Sequence, residues 1–330
     1  MKLAAWNDEA WTRLRERQRR GTLAHAILLC GEAGLGKRAF ADELTRALLC
    51  ESPSADGFAC GACRGCRLLA AGSHPDLVRV ALEARDDGKL RTEIVIDQMR
   101  ALGERLALTP QFGRGQAAIV DPADALNPNA ANALLKTLEE PTPGTVIVLV
   151  ADHPSRLPAT IRSRCQRVDF RAPSHALALA WLAAQGIDGA NAEDALRAGD
   201  GNPGRALAWL RSGALKVRAE VRADLAALLR GEAVPLEVAQ RWSRDDADLR
   251  LQFAAALARE QAGAQAGARG AAEPFALTAA VELPKLTAWF DRANQIRELL
   301  RGPLRSDLAL LELLAAWPVA VRDTRRVGAA

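Results

Sequence analysis

Short continuous apolar runs alternate with amphipathic segments over the first half of the chain. Such runs are typical of strands buried on both faces of a sheet, whereas the segments between them repeat their apolar residues at helical spacing. The predicted strands cover residues 25–30, 77–80, 117–121 and 145–150. This alternation predicts an α/β fold in which a parallel sheet carries helices on both of its faces.

The strand pattern stops at about residue 173, and helical spacing dominates the rest of the chain. Short helices around several glycines are predicted for residues 174–210, and longer helices follow. The stretch 261–272 is rich in Gly, Ala and Gln, so we predict a flexible connector between two helices there. A chain of 330 residues can form two or three domains, each with its own core.

A glycine-rich motif, GEAGLGKR, follows the first predicted strand at residues 31–38. Gly31, Gly34 and Gly36 allow backbone N–H groups to turn toward phosphate oxygens, and Lys37 would reach the outer phosphates of a nucleotide. The last position of such a loop normally holds a Ser or Thr that binds Mg²⁺, but Arg38 stands there and cannot bind a cation. The motif therefore predicts a phosphate-binding loop of ATPase ancestry with a defective magnesium site.

Two further positions depart from the pattern of an active ATPase. The third predicted strand ends in Asp121, where an acid that supports Mg²⁺ is expected, but Pro122 replaces the glutamate that would polarise the attacking water. After the fourth strand, Asp152 replaces the Thr or Asn that usually orients the γ-phosphate. These departures are independent of Arg38 and predict that hydrolysis is lost. They leave open whether ATP or ADP still binds.

Four of the six cysteines lie close together, at Cys50, Cys60, Cys63 and Cys66. Clustered cysteines bind a metal more often than they form disulfides in a cytosolic protein, and four thiolates can close a tetrahedral shell around Zn²⁺. Because a full Cys₄ shell leaves no open position for water, the predicted Zn²⁺ is structural. The other two cysteines are predicted to be packing residues.

Charge and composition exclude few classes of protein. The net charge is +4, with 44 Lys and Arg against 40 Asp and Glu, which is weak support for contact with nucleic acid. No apolar run approaches the length of a membrane span, and the N-terminus lacks the order of a signal peptide, so a cytoplasmic protein is expected. An active ATPase with a divergent loop and a zinc-containing nucleic-acid-binding protein are the two alternatives at this point.

Four stretches of the chain resemble the AAA+ subunits of the bacterial DNA polymerase III clamp loader, and specifically the delta-prime subunits. They are the cysteine cluster, ANALLKTLEEP at 131–141, IRSRC at 161–165 and GNPGRAL at 201–207. The resemblance is specific over residues 20–210. Beyond residue 210 it depends only on length and helicity.

The choice within this family depends on the lost catalytic positions. The ATPase subunits gamma and tau keep Ser or Thr after the loop lysine and Asp-Glu after the strand, and this chain keeps neither. In those subunits a Gly-Ser-x-Arg element places a sensor arginine; here Gly204 occupies that place and Arg205 is shifted by one. These differences favour delta-prime over gamma or tau.

The resemblance implies a domain order. A P-loop AAA+ domain at 1–168 would carry the zinc module at 50–66. A small helical lid domain at 169–208 and an all-α collar domain at 209–330 would follow.

The resemblance also implies a function in DNA replication. Members of this kind are non-hydrolysing stators in a pentameric ring with gamma or tau and delta subunits, and accessory subunits of a DNA-directed DNA polymerase. They present the arginine of the Ser-Arg-Cys motif, here Arg164, to ATP on an adjacent gamma or tau subunit. Arg162 is the weaker candidate for this arginine finger. The ring opens the sliding clamp and places it on primed DNA, and no membrane partner is implied.

Overall fold

The computed structural model describes residues 3–85, 88–267, 275, 282–300 and 306–321. The chain divides into two compact units, Met1–Leu207 and Ala208–Ala330. The boundary lies next to the predicted end of the lid at residue 208. The further division of the first unit into an AAA+ domain and a lid stays a prediction.

The first unit alternates strands and helices as far as residue 169 and is helical after it. Its strands are β1 (Ala26–Cys30), β2 (Leu77–Val80), β3 (Gln116–Val120), β4 (Thr145–Ala151) and β5 (Gln166–Asp169). Its helices are α1 (Asp8–Arg19), α2 (Lys37–Leu49), α3 (Arg64–Ala70), α4 (Ile96–Leu106), α5 (Pro128–Glu139), α6 (Ala159–Arg162), α7 (His175–Ala184), α8 (Gly189–Ala198) and α9 (Pro203–Ser212), the last of which crosses the boundary of the unit.

The five strands form one parallel sheet with the order β2-β3-β4-β1-β5. This confirms the predicted α/β fold. Because the strands are parallel, the segments that follow β1, β3 and β4 all leave from the same edge of the sheet. Strand β4 lies between β1 and β3, so the order brings the glycine-rich loop, Asp121 and Asp152 together at that edge. Ligands of open α/β sheets bind outside this edge.

Strand β1 is buried along its whole length, which explains its continuous apolar run. Its residues point alternately to the two faces of the sheet. Ala26, Leu28 and Cys30 belong to a core cluster with residues of α4 and α5, whereas Ile27 and Leu29 belong to a second cluster with residues of α1 and α2. Both faces of the sheet are therefore covered by helices, as the sequence predicts.

The sequence pattern does not predict strand β5. This strand pairs only with β1, so it is an edge strand, and Val168 is its single buried residue. A short edge strand with one buried side chain has no continuous apolar run, and its signal is lost among polar residues.

Every element described in the second unit is a helix. The helices that follow α9 are α10 (Ala214–Arg230), α11 (Pro235–Arg244), α12 (Ala247–Gln265), α13 (Leu283–Leu299) and α14 (Ser306–Val321). Trp242 and Trp317 are fully buried in this unit, and Trp317 Nε1 donates a hydrogen bond of 3.0 Å to the carbonyl oxygen of Leu225. None of the helices in the described ranges combines the length and apolar character that crossing a membrane requires.

The prediction of a flexible connector at 261–272 is wrong for its first part. Helix α12 continues to Gln265, and Gln261 is fully buried. Alanine and glutamine favour the helix, and their propensity together with burial outweighs the single glycine in this stretch. Residues 268–272 of the predicted connector lie outside the described residues.

Candidate nucleotide, metal and arginine sites

The four clustered cysteines bring their sulfur atoms together. Cys50 directly follows α2, and Cys63 directly precedes α3, in whose first turn Cys66 lies. All four sulfurs lie within 4.8 Å of one another, with 4.0 Å between Cys50 and Cys63 and 3.9 Å between Cys60 and Cys66. A tetrahedral Zn²⁺ with bonds of about 2.3 Å separates its ligands by about 3.8 Å. The cluster therefore has the dimensions needed to hold a metal such as zinc.

Backbone N–H groups donate to three of these sulfurs. The N–H of Cys60 donates to Sγ of Cys50 at 3.2 Å, and the N–H of Cys63 donates to Sγ of Cys60 at 3.4 Å. The N–H of Cys66 donates to Sγ of Cys63 at 3.3 Å. The N–H groups of Ala62 and Cys63 lower the pKa of Cys60 to about 6, because they stabilise its thiolate. Burial raises the pKa of Cys66 to about 12, so a bound cation would be needed to ionise all four ligands.

The glycine-rich loop after β1 has the backbone of a phosphate-binding loop. Gly31, Gly34 and Gly36 all have positive φ, at 141°, 93° and 89°. Gly36 precedes α2, which begins at Lys37. The fixed positions of the motif therefore have the strand, loop and helix context that the sequence predicts.

Lys37 is paired entirely within the chain. Its Nζ lies 2.5 Å from the carbonyl oxygen of Gly31, 2.7 Å from that of Glu32 and 2.5 Å from Asp152 Oδ1. Its side chain is only 1% exposed. An ammonium group has three N–H donors, so these contacts satisfy all of them. Burial lowers the pKa of Lys37, and the hydrogen bond to Asp152 opposes this effect.

Arg38 bridges the two acids that follow β3 and β4. Its Nε lies 2.9 Å from Asp121 Oδ2, and its Nη2 lies 2.9 Å from Asp152 Oδ2. Burial disfavours the charge of Arg38, but the hydrogen bond and the charge of Asp152, followed by those of Asp121, outweigh it and raise the pKa of the guanidinium. A fixed positive charge thus lies between the two carboxylates, in contact with the acid that the sequence predicts to support Mg²⁺.

The two acids differ in how well they are paired. Burial raises the pKa of Asp121, and Arg38 compensates only in part, since Asp121 Oδ1 is buried without a hydrogen-bond partner. Burial also disfavours the charge of Asp152, but hydrogen bonds from Arg38 and Lys37 outweigh it and lower the pKa of that carboxyl. We call Asp152 the electrostatic centre of the site because both Lys37 and Arg38 pair with it.

The turn before α9 packs directly on the glycine-rich loop. Asn202 Nδ2 donates to the carbonyl oxygen of Ala33 at 2.8 Å, and Arg205 forms an ion pair with Glu32 at 2.7 Å. A Cβ added to Gly204 would lie 2.0 Å from the carbonyl oxygen of Gly34, so only glycine fits there. Gly204, at the position expected to carry a sensor residue, instead packs against the backbone of the loop.

The second predicted site is the turn after α6, where Arg164 is held by two groups. Its Nη2 lies 2.6 Å from Glu139 Oε1, and its Nη1 donates to the carbonyl oxygen of Thr160 at 3.0 Å. Arg162 is exposed, and its side chain forms no hydrogen bond or ion pair with any residue that the structure describes. The turn therefore presents one paired and one unpaired arginine to solvent.

Comparison with known proteins identifies the family. Residues 6–174 match the family model described as DNA polymerase III, delta subunit. DNA polymerase III subunit delta' of Pseudomonas aeruginosa is 40% identical over 240 residues, which cover 72% of this chain and 70% of that protein. The chain belongs to the delta-prime subunits of DNA polymerase III.

Other proteins similar to this chain carry the names of further DNA polymerase III subunits. DNA polymerase III subunit tau of Bacillus subtilis is 33% identical to this delta-prime chain over 148 residues, which cover 45% of this chain and 25% of that protein. The solved structure of a DNA polymerase III gamma subunit-related protein from Thermotoga maritima covers 94% of this chain and 99% of its own, with 20% identity and a TM-score of 0.48.

The sequence alone does not reveal which groups pair at these sites of the delta-prime chain. Asp152 is recognisable only as a lost sensor position, yet it binds both Lys37 and Arg38. Glu139 lies within the ANALLKTLEEP motif, but nothing in its spacing points to Arg164. Both pairings join elements that are distant in the sequence, so only the folded structure brings them together.

Proposed function

We propose that this delta-prime chain is a non-hydrolysing subunit of the DNA polymerase III clamp loader. The proposal rests on the position of the Arg38 guanidinium, which lies between Asp121 and Asp152 and within 2.9 Å of an oxygen of each. It puts a protein cation where hydrolysis would need Mg²⁺. The catalytic contribution of the chain would then come from Arg164, presented to ATP on an adjacent gamma or tau subunit.

The residues at the loop do not fit a magnesium-dependent ATPase site. Mg²⁺ requires an octahedral set of oxygen ligands at about 2.0–2.1 Å, and Arg38 replaces the hydroxyl that would supply one of them. Pro122 has no group that could polarise water. The amine of Lys37 is already satisfied by Gly31, Glu32 and Asp152. Each of these features acts against hydrolysis independently of the others.

The proposed partners follow from the family. Subunit tau is similar in sequence to this chain, and we propose that the chain assembles with gamma or tau and with a delta subunit in a pentameric ring. The ring would open the sliding clamp and load it on primer-template DNA in the cytoplasm. Three domains are proposed, namely the AAA+ domain at 1–168, the lid at 169–208 and the collar at 209–330, with one structural Zn²⁺ held by the four clustered cysteines.

An ATPase assay on the isolated chain tests the loss of hydrolysis. We expect no Mg²⁺-dependent turnover, because the magnesium position is filled by Arg38. A Lys37→Ala variant purified in parallel is the control, since any turnover that persists in it comes from a contaminant. Robust turnover by the wild-type chain that disappears in Lys37→Ala would show an active ATPase and overturn the proposal.

Metal analysis tests the proposed zinc site. We expect one equivalent of zinc per chain under reducing conditions. Cys60→Ser should lose it, and Cys165→Ser should retain it because Cys165 lies outside the cluster. A metal-free wild-type chain, or equal zinc contents in the two variants, would remove zinc from the proposal.

A further inference from the structure

Arg164 lies at the surface between the ends of two helices. The carboxylate of Glu139, the last residue of α5, accepts from Nη2 at 2.6 Å. The carbonyl oxygen of Thr160, in α6, accepts from Nη1 at 3.0 Å. The two terminal nitrogens of the guanidinium are thus bound to different helices, and these two contacts together fix the plane of the group.

These contacts leave part of the guanidinium available. A guanidinium carries more N–H donors than two hydrogen bonds use, and the side chain of Arg164 is 38% exposed. The remaining donors can therefore meet phosphate oxygens that approach from another subunit. Donors that are oriented before the reaction stabilise developing charge without the cost of reorganisation, which is the main source of such electrostatic catalysis.

The local helix does not explain the acid at position 139. Glu139 occupies the C-terminal residue of α5, where the partial negative charge of the helix end disfavours a carboxylate. A neutral or basic residue would suit the helix better at this position. The guanidinium of Arg164, 2.6 Å from Glu139 Oε1, offsets this unfavourable charge.

The neighbouring acid behaves differently. Glu140 follows the helix, is exposed, and its side chain pairs with no residue that the structure describes. The two glutamates share charge, size and location in the ANALLKTLEEP motif. Glu140 is therefore a matched control for the role of Glu139.

We infer that Glu139 is the positioning residue of the arginine finger. It orients the guanidinium of Arg164 toward ATP on the adjacent subunit and does not itself touch the nucleotide. The inference rests on the proposed function of Arg164. Because exposed ion pairs are weak, the expected contribution of Glu139 is a factor of about two to five in turnover, far below that of the arginine itself.

The experiment uses the complete reconstituted clamp loader with clamp and primed DNA. Its ATP turnover is measured with delta-prime chains carrying Glu139→Gln, Glu140→Gln, Arg164→Ala, or Glu139→Gln together with Arg164→Ala. Glu139→Gln should lower kcat about two- to fivefold and leave KM for ATP unchanged, because binding of the nucleotide by the neighbouring subunit is not affected. Glu140→Gln should match the wild type.

The double variant separates positioning from a structural effect. In the Arg164→Ala background, Glu139→Gln should cause no further loss, since it acts only through the arginine. An unchanged or increased kcat in Glu139→Gln, or the same fold-loss with and without Arg164, would overturn the inference. If Arg164→Ala itself leaves turnover unchanged, the proposed function fails and the inference fails with it. An effect of Arg164→Ala without one of Glu139→Gln refutes the inference alone.

Discussion

Arg38 and Arg164, two of the paired arginines in the first unit, differ in the partners that hold them. At the glycine-rich loop, Arg38 binds the carboxylates of Asp121 and Asp152, and Lys37 shares the second of them. At the turn after α6, Arg164 binds a single carboxylate and the end of a helix. The first arginine is bound by two acids of its own chain, whereas the second is bound by one.

The glycine-rich loop keeps its backbone conformation although the side chains around it pair with one another. At the loop, Lys37 and Arg38 pair with Asp121 and Asp152, so two positive and two negative side chains offset one another. Its glycines and its lysine nevertheless keep their positions because internal groups satisfy them. Under the proposed function, the catalytic charge of the chain is that of Arg164, on an exposed turn.

Removal of Arg164 should have the largest effect of any change in this comparison. In the reconstituted loader, Arg164→Ala should lower ATP hydrolysis by roughly 10³–10⁵, which is the contribution of an arginine finger to the rate. Arg162→Ala should change it only slightly, because Arg162 is the weaker candidate. Steady-state ATPase assays at saturating ATP measure both variants.

The complex must first be shown to assemble with each variant, by gel filtration. If Arg162→Ala abolishes turnover and Arg164→Ala does not, the two arginines exchange roles and the contact with Glu139 becomes purely structural. Wild-type turnover in both variants would place the catalytic arginine on another subunit.

The next largest effect concerns the two acids at the loop. Asp152→Asn should lower the free energy of unfolding by about 2 kcal/mol, because it weakens charge-assisted hydrogen bonds to both Lys37 and Arg38. Asp121→Asn should cost less than half of this, since Asp121 has one cationic partner and its buried carboxylate is already disfavoured. Urea unfolding of the two variants beside the wild type gives the difference. Equal losses would show that Asp152 is not the electrostatic centre.

The contribution of Asp152 should also depend on pH. Its pKa is lowered in the folded chain, so the stability that it supplies is present above its unfolded pKa of about 3.9 and is lost as the pH falls through the lower folded value. The stability difference between wild type and Asp152→Asn should therefore be constant near pH 7 and shrink below about pH 4. A difference that stays constant down to pH 3 would mean that the charge of Asp152 is irrelevant.

The sequence predicts the strands that are buried along their whole length. It misses the elements that form because of tertiary contacts. Strands β1 and β4 are recognisable because every side chain on them is apolar or small. Strand β5 is not, because an edge position buries only Val168. The stretch at 261–265 has the composition of a linker, and the burial of Gln261 makes it helical.

The candidate sites also have some features that the sequence predicts and others that only the fold determines. The spacing of the four cysteines is short enough that the sequence alone predicts their assembly. The loss of the magnesium ligand is readable at Arg38, and the loss of the base at Pro122. What the sequence cannot show is that Arg38 pairs with both Asp121 and Asp152, because that depends on the order of the strands.

The smallest expected effect is a gain of function at the loop. Arg38→Thr together with Asp152→Asn supplies the missing hydroxyl, removes the protein cation from the magnesium position and releases Lys37 from its carboxylate. We expect ATP to bind about tenfold more tightly in the presence of Mg²⁺ than to the wild-type chain, which corresponds to about 1.4 kcal/mol. Titration with a fluorescent ATP analogue, with and without Mg²⁺, measures this.

The gain should require both substitutions. Arg38→Thr alone leaves Lys37 paired with Asp152, and Asp152→Asn alone leaves the guanidinium in the magnesium position, so each single variant should bind no more tightly than the wild type. Hydrolysis should stay absent even in the double variant, because Pro122 still replaces the base. If the double variant gains no affinity, the packing of Gly204 on Gly34, and not the paired charges, is what closes the loop.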